Sequence, residues 1–225
     1  MRFLKHFSLC ALLTGFLLPF QAAALDVHET IHVGYRNDLA FELGFRLSEF
    51  SPELPVTATA SGGYVRQVAA GNADDARSIF INDGTAGSPS EYGESWFYGI
   101  SLGYELLASE TFRLEAFGTG RQNIYNAYFI FTGGNEAFRV TTTQFGVGGG
   151  ASLILGAGPD EVGFSLNSGV DYYFPSRIDS HGTFFYTPDG TDERPRNDYT
   201  YEDADASINQ PVLRPYVSLG ILLPL

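Results

Sequence analysis

The sequence predicts an all-β protein, an antiparallel up-and-down transmembrane β-barrel of eight strands with long extracellular loops. Three observations lead to this fold class. Apolar and small or polar residues alternate along most of the chain, the chain ends on an apolar strand, and short turns alternate with longer connections. Lipid accepts a continuous apolar face on every strand, and the last strand can then close a ring against the first.

The clearest alternation lies in the last eleven residues, 215–225. Every second residue counted back from the carboxyl terminus is aliphatic: Leu225, Leu223, Ile221, Leu219 and Val217. A period of two indicates a strand. A strand whose apolar face continues to its last residue needs a dry surface for that face, which the membrane supplies.

The first twenty-four residues have the features of a secretory signal peptide. Arg2 and Lys5 form a basic start, residues 7–20 are apolar, and three alanines precede Leu25. A retained membrane anchor is the alternative.

We therefore expect residues 1–24 to be a signal peptide that is removed on export, and residues 25–225 to form one outer-membrane β-barrel domain. The only cysteine and the only lysine lie in the leader, so the exported chain would form no disulfide. The whole chain carries a formal net charge of −13. This acidity disfavours nucleic acid as a partner, because a polyanion needs a basic surface.

Seven further segments alternate before the terminal one. With it, the predicted strands are residues 28–36, 39–47, 55–68, 96–107, 111–131, 139–155, 162–174 and 215–225. Asn37-Asp38 signals a tight turn between the first two strands, and Gly62-Gly63 indicates a bulge in the third. A turn centred on Ser109 would set Glu105 directly across from Arg113, a favourable pairing of opposite charges.

The connections between these strands differ in length. Short turns are predicted near residues 51–54, 108–110 and 157–160, and longer loops at residues 70–95, 132–138 and 175–210. Short turns on one rim and long loops on the other are typical of outer-membrane barrels.

With its signal peptide, alternating strands and apolar terminal strand, the chain resembles small outer-membrane β-barrels of the OmpA/OmpX type. The resemblance is architectural, spans the whole exported chain and includes no family-specific motif. It implies a monomer in the cell outer membrane of a Gram-negative envelope, assembled by the barrel assembly machinery and in contact with outer-membrane lipid and lipopolysaccharide. Such barrels usually end on an aromatic residue, whereas this chain ends on Leu225.

A soluble periplasmic barrel is the alternative, with its apolar face inside. That arrangement needs a charged, lysine-bearing outer face. The face opposite the apolar one consists mostly of glycine, serine, threonine, asparagine and glutamine, which suits the crowded interior of a narrow ring.

Several charged or titratable side chains fall on the inward face. They are His32, Glu42, Arg46, Glu105, Arg113, Glu115, Arg121, Asp171 and Arg214. We interpret them as an ion-pair network that fills the lumen. A polar pathway through the barrel and a catalytic carboxylate–histidine pair are the alternatives.

The last long loop is acidic, and Glu202, Asp203 and Asp205 could supply oxygen ligands to a divalent cation such as calcium. A solvated acidic rim is the simpler interpretation, and calorimetric titration with calcium is the test. No other cofactor is implied.

The function predicted from these features is a structural or surface-interaction role through the long acidic loops. One alternative is a narrow porin or conduit for small or hydrophobic molecules, suggested by wall glycines at residues 118, 120, 146 and 148–150. Another is an enzyme that modifies lipid A, which needs a nucleophile near a histidine. His28, His32 and His181 are the candidate histidines, and no serine–histidine motif accompanies them.

Overall fold

The computed structural model describes residues 25–50, 54–67, 69–81, 87–109, 111–133, 136–156, 160–181 and 201–225. Its elements, in chain order, are β1 (Asp26–Tyr35), β2 (Leu39–Ser48), β3 (Val56–Gln67), α1 (Ala73–Phe80), β4 (Ser88–Ala108), β5 (Phe112–Thr132), β6 (Glu136–Leu155), β7 (Gly163–Tyr173), β8 (Ile178–His181), α2 (Tyr201–Ser207) and β9 (Leu213–Pro224). The predicted signal peptide, residues 1–24, lies outside the described residues and stays a prediction.

Eight of the strands form a closed antiparallel ring, as the sequence predicts. Strands β1 to β7 pair with their neighbours in order, β7 pairs with β9, and β9 closes the ring on β1 with Ile31 opposite Ile221. The terminal segment is therefore the closing strand. Strand β8 stands outside the ring and pairs with β6 near Thr141.

The apolar face points outward. Exposed side chains on the outer surface include Val33, Phe41, Leu102, Phe145, Phe164 and Leu219. A barrel in water would place these side chains inside, so the soluble alternative is wrong. On β4 the exposed outward residues run from Trp96 to Leu106. Ten residues at about 3.3 Å each, tilted by about 40°, give an apolar band roughly 25 Å tall, the height of a barrel's hydrocarbon zone.

Three strands extend well beyond this band. Strands β4 and β5 have 21 residues each and β6 has 20, against 10 to 12 in the other strands of the ring. They project as a sheet from one rim, which we call the upper rim. The opposite rim, where β1 begins and β9 ends, carries the short turns that follow β2, β4 and β6. The tight turn between β1 and β2 lies at the upper rim and is the exception to the alternation of loop lengths.

The long loops are more ordered than the sequence predicts. Residues 70–95, predicted as loop, contain α1 and the upper part of β4, and residues 175–210 contain β8 and α2. Asn72 caps α1, because its side-chain oxygen accepts hydrogen bonds from the backbone N–H groups of Asp74 and Asp75. Of the helices in the described part of the chain, none has the length and apolarity to cross a membrane.

Helices α1 and α2 pack against the inward face of the projecting sheet. The apolar core formed there, which we call the cap, contains Ala70, Ala76, Ile79, Phe80, Tyr125, Ala127, Phe129, Phe131, Phe138, Val140, Ile178, Ala204 and Ile208. It lies directly above the lumen. The barrel thus has an apolar outer surface in the membrane, a polar interior, and a second apolar core above the upper rim.

Two predicted details of register are wrong. Strand β3 pairs with both neighbours without interruption through Gly62 and Gly63, so no bulge occurs there. The bulge lies in β4 between Glu105 and Leu107.

This bulge shifts the partner of Glu105. Glu105 pairs with Glu115, while Arg113 pairs with Ala108 and contacts Glu49 at 3.3 Å. The mirror about Ser109 failed mainly because the turn is centred farther along the chain, so that Ala108 already pairs with Arg113 next to the turn. The bulge then shifts the partner of Glu105 by one residue, to Glu115.

Candidate functional site

A buried network of two arginines and two carboxylates crosses the middle of the lumen. Arg36 binds Glu42 at 3.2 Å and also pairs with Asp171. Arg121 binds Glu42 at 3.0 Å and Asp171 at 3.4 Å. The two positive and two negative charges cancel, which is the condition under which ions tolerate burial. The predicted ion-pair network is confirmed.

Aromatic rings hold the same arginines from the sides. The Arg36 guanidinium carbon lies 4.5 Å from the ring centre of Phe97 and 4.1 Å from that of Tyr216. Arg121 lies 5.2 Å from the Phe97 ring centre. Stacking on an aromatic face adds to the attraction and fixes the planar groups across the lumen.

The alternation places Arg36 on the polar face of the first predicted strand together with His32, although the predicted set of inward charges does not include Arg36. It lies four residues after His32 and therefore on the same face of the strand, just beyond the end of β1. The tight turn predicted at Asn37-Asp38 directs it inward: Asn37 adopts a φ of 63°, and the Arg36 N–H donates to the Asp38 carbonyl at 2.7 Å. Asparagine tolerates this left-handed conformation.

A second ion pair fills the lumen nearer the short-turn rim. Both terminal nitrogens of the Arg46 guanidinium donate to the Glu115 carboxylate, one of them at 2.9 Å. This is the bidentate geometry that strengthens arginine–carboxylate pairs. The remaining predicted inward charges, Glu105 and Arg113, lie at the short-turn rim beside the bulge rather than in the lumen.

A layer of polar side chains separates the central network from the cap. Asn123 donates to Gln144 at 2.9 Å, and Gln144 donates to the carbonyl of Pro211 at the same distance. Arg214 is fully buried and donates to the Ser95 hydroxyl at 2.6 Å. Its guanidinium carbon lies 5.5 Å from the Tyr173 ring centre.

These layers leave little free space. Below the central network the lumen holds a cavity of about 70 Å³, room for only a few water molecules. The inward glycines relieve crowding rather than open a path. A Cβ at Gly148 would collide with the Asp171 carboxylate, and one at Gly220 with the His32 ring. Strands β5 and β6 pair without interruption through their glycines, so no lateral gap occurs there.

The lumen contains one histidine–serine contact that the sequence did not indicate. His32 Nε2 lies 3.1 Å from Ser165 Oγ. The two residues are 133 positions apart, so no local motif could reveal the pair. Both line the small interior cavity, where an acyl chain of lipid A has no access. His28 is buried in the lumen wall, and the His181 side chain lies outside the described residues.

The predicted cation ligands Glu202, Asp203 and Asp205 lie on α2. Within the described ranges, no three His, Cys, Asp or Glu side chains are grouped so as to hold a metal ion. Asp205 turns toward the cap and accepts a hydrogen bond from the Ile178 backbone N–H at 3.2 Å, while Glu202 and Asp203 are exposed. Calcium binding by these residues stays a prediction.

The Asp205 carboxylate makes the cap sensitive to pH. Burial raises the pKa of Asp205 above its ordinary value of 3.8, and the hydrogen bond from Ile178 offsets only part of this effect. A carboxyl group with a raised folded-state pKa stabilises the folded state when it is protonated. The cap therefore gains stability as the pH falls through the raised pKa toward 3.8, and at pH 7 the charged Asp205 costs stability.

Replacing Asp205 with asparagine should remove this cost while keeping the oxygen that accepts from Ile178. We expect hydrogen exchange of the Ile178 amide at pH 7 to be slower in Asp205→Asn than in the parent, with the difference shrinking as the pH approaches 3.8. Glu202→Gln, an exposed change on the same helix, should leave the exchange unaltered. Faster exchange in Asp205→Asn would contradict the assignment.

Together, the closed ring, the apolar outer band and the polar interior define an eight-stranded β-barrel of the outer-membrane type. A solved structure with this fold is a major outer membrane protein from Thermus thermophilus. It matches with 19% identity and a TM-score of 0.68, over 90% of this chain and 100% of that chain.

Two weaker structural likenesses accompany this match. Ail, the attachment invasion locus protein of Yersinia pestis, matches with 10% identity and a TM-score of 0.39, and neisserial surface protein A with 9% and 0.39. Each covers 89% of this chain and 96% of its own. No protein-family model and none of the curated proteins matches the sequence.

Proposed function

We propose that this chain is a closed, monomeric barrel of the outer membrane that carries the cap on the cell surface as a platform for interaction. The observation that carries the proposal is the filled lumen beneath a folded cap. A transport protein needs a continuous path, and here ion pairs, stacked rings and an apolar core follow one another along the axis.

The orientation follows the general construction of such barrels, in which short turns face the periplasm and long loops face outward. The upper rim carries α1, α2 and the projecting sheet, so we place it outside the cell. This orientation is compatible with export through the predicted signal peptide. Every strand of the ring has two partners, so a second copy is not needed to complete the barrel.

Conductance in planar lipid bilayers tests the closed lumen. We expect the purified protein to insert without reproducible ion-conducting steps, because the central network and the cap block the axis. A trimeric porin measured in the same bilayers serves as the positive control. Reproducible, ion-selective steps from the purified protein would overturn the proposal in favour of a narrow porin.

A further inference from the structure

The outer face of the projecting sheet carries an ordered group of polar and aromatic side chains. Arg66 on β3, Tyr92 and Glu94 on β4, Tyr128 on β5 and Arg139 on β6 form this group, which we call the outer patch. The strand registers place Arg66 across from Glu94, Tyr92 across from Tyr128, and Tyr128 across from Arg139. The patch therefore crosses four neighbouring strands on the side that faces away from the cap.

A single carboxylate organises the centre of the patch. Glu94 accepts hydrogen bonds from the Tyr128 hydroxyl at 2.8 Å, the Asn126 amide at 3.3 Å and the Tyr64 hydroxyl at 3.2 Å. Asn126 accepts in turn from Thr141 at 2.8 Å. Side-chain hydrogen bonds to several donors fix rotamers, so the patch is a preformed surface.

The two arginines lie against the paired tyrosine rings. The rings of Tyr92 and Tyr128 stack with centres 4.7 Å apart and an angle of 13° between their planes. The Arg66 guanidinium carbon lies 5.0 Å from the Tyr92 ring centre, and that of Arg139 lies 6.0 Å from the Tyr128 ring centre. Both arginines are exposed. The patch thus offers two guanidiniums against one carboxylate whose oxygens are already hydrogen-bonded.

The patch begins where the apolar band ends. Trp96, the only tryptophan of the chain, packs against Tyr64 with ring centres 4.8 Å apart. Aromatic residues of this kind mark the membrane interface. Glu94 and Tyr92 lie two and four residues above Trp96 on the same face, roughly 5 to 10 Å farther along the barrel axis. That is the depth of the lipid headgroups.

We propose that the outer patch binds the phosphorylated sugar headgroup of an outer-leaflet glycolipid. The proposal rests on the orientation given under the proposed function, which places the upper rim in the outer leaflet. Charge complementarity supports this occupant, because the patch is a local positive surface on a chain with a net charge of −13. Continuity with the lipid-facing band supports it as well.

Each part of the patch matches a part of such a headgroup. Arginine binds phosphate through paired N–H donors and keeps its charge at all physiological pH values. Tyrosine rings present flat apolar surfaces with a polar tip, which suits the face and the hydroxyls of a sugar ring.

Fluorescence of Trp96 provides a direct test, since no other tryptophan contributes. The detergent-solubilised protein is titrated with bisphosphorylated lipid A, and the parent should show a saturable change. The double variant Arg66→Gln/Arg139→Gln should need at least about tenfold more lipid A to reach half saturation, from the loss of charge-assisted hydrogen bonds. Arg66→Lys, which keeps the charge but loses the planar group, should fall between the two.

Arg113→Gln is the matched control, because it removes the same charge at the opposite rim. It should titrate like the parent. Dephosphorylated lipid A should bind the parent at least about tenfold more weakly than the bisphosphorylated form. Equal affinity of the double variant and the parent would overturn the proposal, as would saturation by inorganic phosphate alone at the same concentration.

The two proposals fail in distinguishable ways. The double variant alters only outward side chains, so its bilayer conductance should equal that of the parent. Conducting steps in the parent would refute the closed lumen and leave the lipid A titration interpretable. If the parent and the double variant bind lipid A equally well and the parent shows no conducting steps, the outer-patch proposal alone is refuted. Circular dichroism and heat-modifiable migration on gels confirm that each variant is folded before titration.

Discussion

Replacing Asp171 with alanine should lower the free energy of unfolding of the barrel by about 3–5 kcal/mol. Asp171 is 1% exposed and faces both Arg36 and Arg121, and it also accepts a hydrogen bond from Thr119 at 3.1 Å. Its removal leaves two arginines with Glu42 as their remaining carboxylate in this network. An uncompensated positive charge then remains in a space from which water is largely excluded.

Urea titration of the protein in phospholipid vesicles, followed by Trp96 fluorescence, measures this effect. Asp160→Ala removes the same charge at an exposed turn and should change the free energy of unfolding by less than about 0.5 kcal/mol. The double variant Arg36→Met/Asp171→Asn restores neutrality with Arg121 and Glu42, so it should be more stable than Asp171→Ala. A double variant that is less stable than Asp171→Ala would show that charge balance is not what the network provides.

Charge balance also explains why the lumen can be filled by ions at all. The central network is neutral by itself, and so is the Arg46 and Glu115 pair. Each of these two levels balances separately, whereas Arg214 in the polar layer above lies outside this balance and donates to the Ser95 hydroxyl. Substitutions at one level should therefore be nearly additive with those at the other, as for distant sites in general.

The sequence predicted the ring because strand alternation is a local property. Side-chain direction in a strand depends only on residue parity, so the faces of β7 and β9 and the inward direction of Asp171 followed directly. The closure of β9 on β1 followed because an unpaired edge is not tolerated in lipid. These features require no knowledge of contacts between distant segments.

The cap could not be predicted in the same way. Residues such as Ile79, Phe80 and Ala204 lie in short segments rich in polar and small residues, and their apolar character has meaning only when they meet the projecting sheet. The upper halves of β4 to β6 also lack the apolar outer face that marks a membrane strand. Tyr92, Glu94 and Asn126 occupy that face instead, so the strand β4 was predicted to start at Trp96.

The contacts inside the lumen also include features that the sequence predicts and features that it does not. Parity placed Glu42, Arg121 and Asp171 inside, but it could not say which carboxylate each arginine binds, since that depends on strand stagger around the ring. The contact of His32 with Ser165 and the bulge after Glu105 depend on stagger and register as well. Sequence periodicity determines which face a residue occupies, and three-dimensional closure determines its partner.

Replacing Phe138 with alanine should unfold the cap while leaving the eight-stranded barrel intact. Phe138 is 6% exposed, and its ring centre lies 5.2 Å from that of Phe129, 5.8 Å from that of Phe80 and 6.4 Å from that of Phe131. Loss of a buried phenylalanine ring costs about 3–5 kcal/mol. The cap has a small core, so this loss exceeds what its two short helices can withstand.

Trypsin provides the readout. It cleaves after lysine and arginine, and the exported chain is expected to contain arginines but no lysine. Arg77 on α1 is 5% exposed, and its guanidinium carbon lies 4.6 Å from the Phe131 ring centre. Cleavage after Arg77 should therefore be slow in the parent and at least about tenfold faster in Phe138→Ala, since proteolysis follows the population of the open form.

The matched control is Phe145→Ala on the same strand, where the side chain is 59% exposed on the lipid-facing surface. It should leave this cleavage unchanged. The Phe138→Ala variant should keep its heat-modifiable migration on gels, because the hydrogen bonds between the strands of the barrel do not involve α1 or α2. Simultaneous loss of cap and ring would show that the two cores fold as one cooperative unit, contrary to their separation by a polar layer.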